Sequence, residues 1–304
     1  MKKISIIYHR IDFDGICSLA ILQKFLVDGF SKIDTQVDTI GYNHGDAVPE
    51  LDDYAFVYMA DIALPPQLMK RLADEGRLVW IDHHKTAIDA SVQFGYANVP
   101  GIREIGVGAC ELCWRFTHEG EPAPYAVQLL SCYDVFDKRR FDWENETLPF
   151  QYGLRAKVGL DPIAFSAFLY TSVDPHKSIT MDMVSFGKMF LDSTRQRGSF
   201  GANAYGFDVS IGKEAVKALC VLTMEFGSIP YEKVALERNC AVVMNVNRID
   251  ADRYKVSCYS ASGDAPISLG DYLLENYGGG GHHNAAGCVI SKAAFIKLIT
   301  EQTF

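Results

Sequence analysis

The side chains of this chain best suited to chemistry fall in short clusters of acids and histidines. They are His9-Arg10-Ile11-Asp12-Phe13-Asp14-Gly15, then Asp61, then Asp82-His83-His84, with a further acid at Asp134. Neutral imidazole together with carboxylate is a ligand set for a divalent transition metal such as Mn, Zn or Fe. One of Asp12 and Asp14 is accounted for by capping a helix. A second acid and a histidine just upstream are more than capping requires.

The elements around these clusters decide whether they meet. Residues 4–8 (Ile-Ser-Ile-Ile-Tyr) read as a strand, and 16–27 as a helix with apolar residues at 16, 19, 22 and 26. Residues 37–42 make a weak second strand. Residues 55–60 form an apolar strand that ends at Asp61, and Pro65-Pro66 suits the start of a helix over 66–75. Leu78-Val79-Trp80-Ile81 reads as a buried strand running directly into Asp82. Alternating strands and helices imply a parallel sheet. In such a sheet ligands bind beyond the carboxyl ends of the strands, so the clusters are expected to converge on one site. Helices are expected over 106–118 and 125–133, the second ending in Tyr133-Asp134-Val135-Phe136-Asp137.

Helical character continues to about residue 195. The polar, Gly-rich stretch 195–204 reads as a junction, giving a metal-binding domain over 1–195 and a second, smaller α/β domain over 196–304. In the latter, 241–246 and 254–259 read as strands joined by a turn at 248–252. A helix over 269–276 runs into Gly278-Gly279-Gly280-Gly281-His282-His283-Asn284-Ala285-Ala286-Gly287. Consecutive glycines expose backbone N–H groups and permit close approach, which suits a phosphate or sugar.

Composition narrows the function further. The chain has 304 residues, of which 48% are hydrophobic and 22% charged, as in a globular protein that stays in water. No run approaches a membrane span, and the N-terminus lacks the long apolar core of a signal peptide, so a cytoplasmic protein with no membrane partner is expected. The eight cysteines are scattered among apolar neighbours and read as reduced, buried thiols. Cys110 and Cys113 form a CxxC with no second pair, for which packing is the better explanation. A net charge of −9 opposes broad binding to duplex DNA.

Taken together, the DxDG at Asp12 to Gly15, Asp61 after its strand, Asp82-His83-His84, Asp134 and the GGGHxxAAG-like run at 279–287 resemble the DHH phosphoesterase superfamily, in its DHH–DHHA1 branch. The resemblance spans nearly the whole chain. It implies two divalent ions, usually Mn²⁺, one held by His9, Asp12 and Asp61 and the other by Asp14, Asp61, His83 and Asp134. Asp82 would orient His83, and His84 would face the substrate phosphate. Gly279, Gly280, Gly281 and His282 would hold the nucleotide across a cleft. Many relatives have three residues between the first histidine and the first aspartate, where only two separate His9 from Asp12. Relatives also often place an Arg in a strand where Tyr259 stands here. Tyr259 can stack or donate one hydrogen bond but makes no charged fork, and Arg248 in the neighbouring turn is the candidate replacement.

The resemblance implies a Mn-dependent phosphodiesterase that cuts short RNA, above all dinucleotides such as pGpG or pApA, to mononucleotides. A homodimer is compatible with this reading. The competing readings are a cyclic-di-AMP phosphodiesterase or pAp phosphatase, a pyrophosphatase or exopolyphosphatase, and a nucleotide-binding protein with a dead site.

Overall fold

β1 (Lys2–His9) is buried along its middle on both faces, as a central parallel strand must be. The computed structural model describes residues 2–30, 34–172, 177–223 and 227–304. They fall into two units, Met1–Leu191 and Asp192–Phe304.

In the first unit β1 is followed by α1 (Phe13–Phe30), β2 (Thr35–Tyr42), β3 (Phe56–Ala60), α2 (Pro66–Asp74), β4 (Leu78–Ile81) and α3 (Lys85–Phe94). The four strands form one parallel sheet in the order β2-β1-β3-β4. Alternate residues face opposite ways. Ile4, Ile6, Tyr8, Ala60 and Ile81 enter one core, built with α1, while Ile7, Val57, Met59, Leu78 and Trp80 enter another, closed by α2. Helices α4 (Ala109–Thr117), α5 (Tyr125–Asp134), α6 (Leu148–Lys157) and α7 (Pro162–Ser172) add to the first core, with a π turn at Trp143–Thr147 before α6. The strand order reverses direction at β1, so the chain leaves β1 and β3 toward opposite sides. This opens a crevice at their carboxyl ends.

α1 begins at Phe13, three residues before the sequence pattern suggests. Asp12 is its cap, accepting from the Gly15 N–H at 2.9 Å, and Asp14 lies in the first turn of the helix instead of in a loop.

α8 (Ser178–Tyr205) is continuous through 195–204, the stretch whose glycines suggested an irregular linker. Gly198 has a packing reason to be glycine: a Cβ there would lie 2.5 Å from the Pro230 carbonyl oxygen. Gly187 allows α6 the same approach, since its Cβ would meet the Pro149 carbonyl oxygen at 1.8 Å.

The second unit carries β5 (Phe207–Ile211), β6 (Val216–Leu222), α9 (Glu232–Glu237), β7 (Val242–Arg248), β8 (Arg253–Ser260), α10 (Leu269–Tyr277), β9 (Gly280–Gly281), β10 (Ala285–Ser291) and α11 (Lys292–Glu301). Its sheet runs β5-β6-β7-β8-β10-β9 and is antiparallel except for the β6–β7 pair. Thr303 and Phe304 lie along β5, with the Phe304 N–H donating to the Ser210 carbonyl at 2.9 Å. The described cysteines are all free and buried, Cys110 and Cys113 included. Among the described residues no helix is long and apolar enough to cross a membrane.

Candidate metal centre

His9 ends β1, Asp61 follows β3, and Asp82, His83 and His84 follow β4. These carboxyl ends are adjacent in the sheet, and α1 and α5 bring Asp12, Asp14 and Asp134 to the same place. The His9 Nδ1 lies 2.6 Å from Asp12 Oδ2 and 3.6 Å from Asp61 Oδ2. The His83 Nε2 lies 3.2 Å from Asp61 Oδ1, 3.2 Å from Asp134 Oδ2 and 3.7 Å from Asp14 Oδ2. All six residues expected as ligands are thus within reach of one another. They form two sets whose donor atoms could each surround an ion: His9, Asp12 and Asp61 on one side, and Asp14, His83 and Asp134 on the other. A third set, Asp61 with Asp82, His83 and His84, overlaps both.

Asp61 is the common member of the first and third sets, and it is held at a cost. It is 2% exposed, and its φ of 61° lies in the left-handed region. Aspartate tolerates that region better than most residues, but it still strains the backbone. Its Oδ2 is buried without a hydrogen-bond partner among the described residues. Burial, with Asp14 and Asp12 beside it, pushes the Asp61 carboxyl well above the usual range. Burial does the same to Asp134, reinforced by Asp14 and Asp61 and opposed by His83. Burial lowers the His9 imidazole, but Asp12 and Asp61 outweigh it and raise it to about 11. Packed carboxylates that disfavour one another, with one orphan oxygen among them, are a donor set that divalent cations would satisfy. The residues fit the metal.

The Asp14 carboxylate has structural partners as well. Its oxygens accept the N–H groups of Ala109 at 2.6 Å and Cys110 at 2.8 Å, at the start of α4, a position that favours an anion. Gly108 makes this approach possible, since a Cβ there would lie 2.8 Å from the Ser131 Cα.

Asp82 does not hold the His83 ring as expected. Its Oδ1 meets the His84 Nδ1 at 2.7 Å and accepts the backbone N–H groups of His83 and His84, and its Oδ2 accepts from Trp80 Nε1 at 3.1 Å. Burial raises the Asp82 carboxyl, but the bonds from His84 more than offset it and leave it below the usual range. Burial lowers the His84 imidazole, and the Asp82 charge reverses this and raises it. His84, a third exposed at its side chain, is therefore held in place by Asp82.

Sequence reasoning missed Asn43 and His44 in the turn after β2. The Asn43 Oδ1 lies 3.2 Å from the His9 Nε2, which orients that ring, and the His44 ring is 6.3 Å from the His9 ring. The signal was the same as elsewhere, polar residues after a strand, but β2 is a partly exposed edge strand with a weak apolar pattern.

In the second unit the glycine run is largely structural. Gly278 takes φ 64° to end α10, and Gly281 takes φ 144°. A Cβ on Gly279 would lie 2.3 Å from the Gly287 carbonyl oxygen, whereas Gly280 has open space. The N–H groups of Gly278, Gly279 and His282 donate to Leu274, Leu273 and Ala285, so these three are committed to the fold. His282 is exposed beside this turn. Tyr259 lies at the same end of the sheet, opposite Ala285 in β10. Arg248 does not. It pairs with Tyr254 at the far end, five residues along the strand or roughly 17 Å, and its Nε donates to the Asp250 carbonyl in its own turn. It cannot take over a phosphate contact beside the glycines.

A parallel-sheet domain with an Asp-His-His cluster at its strand ends, followed by a smaller α/β domain, is a fold shared with solved structures that include a DHH domain. No protein-family model matches the sequence, and no curated protein does. Among solved structures it is similar to the pGpG-specific phosphodiesterase PggH from Vibrio cholerae, at 13% identity and a TM-score of 0.52, over 99% of this chain and 97% of that one. It is also similar to the DHH domain of a member of the s1p family of ribosomal proteins, at 14% identity and a TM-score of 0.56, over 99% and 85% of the two chains. An exopolyphosphatase-related protein from Bacteroides fragilis aligns with a TM-score of 0.45 at 14% identity, over 99% and 91%.

The two histidines are expected to separate in experiment. His83→Ala should lose bound metal, because its Nε2 faces three carboxylates. His84→Gln should keep the metal and lose rate by roughly a hundredfold or more, the usual contribution of a positioned proton donor. Asp82→Asn should resemble His84→Gln. Elemental analysis beside kcat decides this, and a His84→Gln protein depleted of metal would reverse the assignment.

Proposed function

We propose that the chain is a phosphodiesterase that uses two divalent ions, best supplied as Mn²⁺, to cut dinucleotides such as pGpG or pApA into mononucleotides. The observation that carries this is the pair of adjacent donor sets at the carboxyl ends of the strands, with Asp61 between them and its Oδ2 without a hydrogen-bond partner among the described residues. The carboxylate-rich donors suit a hard-to-intermediate ion such as Mn²⁺.

His9, Asp12 and Asp61 would hold one ion, and Asp14, Asp61, His83 and Asp134 the other. Bound there, the ions would lower the pKa of the attacking water, polarise the phosphoryl oxygen and neutralise charge on the leaving oxygen. The chain's own contribution begins with fixing those donors: Asn43 sets the His9 ring, and the start of α4 sets Asp14. His84, turned by Asp82, offers its imidazole to the phosphate or to the leaving oxygen. The Asp61 backbone is tied to the end of β4 by its N–H bond to the Ile81 carbonyl, 3.0 Å. His282 and Tyr259 are the side chains by which the second unit would bind substrate.

A net charge of −9 gives a long RNA backbone little to hold. Added phosphates then bring no favourable contact, and uniform binding would not raise kcat in any case. Incubation with Mn²⁺ against dinucleotides, a ten-residue RNA, pAp, cyclic dinucleotides and pyrophosphate in parallel tests this. Dinucleotide turnover is expected to exceed that of the longer RNA severalfold. Equal or faster turnover of the RNA would overturn the substrate assignment, and preference for pyrophosphate would replace it.

A further inference from the structure

We propose that Phe136 is a base-stacking platform at the edge of the metal centre, against which one nucleobase of the substrate lies. The inference rests on the function proposed above and specifies how the substrate is recognised.

Phe136 follows Asp134 by two residues, so its Cα lies within about 7 Å of that of the proposed metal ligand. Its φ is 54°, in the left-handed region where a bulky side chain is an outlier. A solvated turn there would ordinarily use Gly, Asn or Asp. Yet Phe136 is 59% exposed, so burial of its own ring does not account for the choice. The φ ends α5, with the Asp137 N–H donating to the Cys132 carbonyl at 3.0 Å, and it leaves the ring in a stack. The Phe136 ring lies 5.6 Å from the Trp143 ring at 26° and 6.2 Å from the Tyr133 ring at 27°. Tyr133 and Trp143 are themselves parallel, 5.7 Å apart at 1°. Trp143 is buried, at 7% exposed. The cluster therefore grades from a buried indole to an outer phenyl ring held by its neighbours.

The loop that carries this ring also holds cations, balanced by Asp137 and Asp142. Lys138 Nζ sits 5.2 Å from the Trp143 ring, and the Arg139 side chain, 96% exposed, pairs with Asp137 at 3.7 Å. Aromatic faces beside cations are how proteins hold unpaired nucleotides, because every base has a face to stack. An inorganic polyphosphate would have no use for the ring.

The test pairs the Mn²⁺-loaded protein with pGpG and with two analogues in which one or the other guanine is replaced by hydrogen. Phe136→Leu keeps apolar bulk, Phe136→Gly adopts the same φ without strain, and Phe136→Trp restores an aromatic face. The wild type is expected to show a KM roughly tenfold lower for pGpG than for one of the analogues. That preference should disappear in Phe136→Leu and Phe136→Gly and return in Phe136→Trp, with the effect on KM more than on kcat. Circular dichroism and melting curves verify that each variant is folded. A base preference unchanged in folded Phe136→Gly overturns the platform while leaving the phosphodiesterase reading intact. If Phe136→Leu alters only the sedimentation behaviour, the ring is a protein–protein contact and the platform is likewise overturned. A wild-type protein that turns over no dinucleotide removes the functional reading, and the platform with it.

Discussion

Asp61→Asn is expected to abolish hydrolysis and to remove the thermal stabilisation that Mn²⁺ confers, while making the metal-free protein more stable. The carboxylate is 2% exposed, with its Oδ1 3.2 Å from the His83 Nε2 and its Oδ2 3.6 Å from the His9 Nδ1, so it touches both proposed ion positions. An amide presents one oxygen and a pair of N–H donors, which repel a cation. Losing several kcal/mol of transition-state charge stabilisation corresponds to roughly a thousandfold in rate. Without metal the sign reverses. Burial, and then Asp14 and Asp12, disfavour the Asp61 charge, so a neutral amide relieves both the desolvation and the repulsion. Melting curves with chelator and with Mn²⁺ separate the two effects. An Asn variant that still gains the wild-type melting increment from Mn²⁺ would contradict a bridging role.

Gly15→Ala is expected to unsettle the whole metal domain. A Cβ at this position would lie 2.0 Å from the His9 carbonyl oxygen and 2.7 Å from its carbon. These are backbone atoms at the end of β1, and no side chain can swing aside to make room. α1 would have to lift from the sheet, at a cost of about 3 kcal/mol, which for a domain of this size lowers the melting temperature by roughly 10 °C. The same movement would pull Asp12, capped on the Gly15 N–H, away from the His9 ring, so Mn²⁺ affinity should fall with stability. Gly280→Ala is the control, because nothing lies within 4 Å of its added Cβ. A Gly15→Ala protein that melts with the wild type would show that the contact relaxes without cost.

What was legible in the sequence follows from burial. β1, β3 and β4 are covered on both faces, so their apolar runs are nearly continuous and the polar residue that ends each run stands out. That is why His9, Asp61 and Asp82 to His84 could be placed at strand ends. β2, at the edge, has no such contrast, and Asn43 and His44 went unread. The role of α4 in binding Asp14 depends on a contact 95 residues distant in sequence, for which Gly108 was the only local sign. The pairing of Asp82 with His84 instead of the His83 ring is a matter of rotamer. Arg248 lies away from the glycine run because sheet register, not sequence proximity, decides which strand ends share one side of the sheet. The glycines of 195–204 signalled a break, but Gly198 serves a close helix approach to Pro230 within an unbroken helix.

Equilibrium dialysis of the chelator-stripped protein against Mn²⁺, with pGpG hydrolysis followed on the same samples, tests the central claim most directly. The predicted result is two ions bound per chain, no hydrolysis in chelator, and a rate that rises with the second ion. A single ion per chain at saturation, or full hydrolysis in chelator, would contradict the two-ion centre.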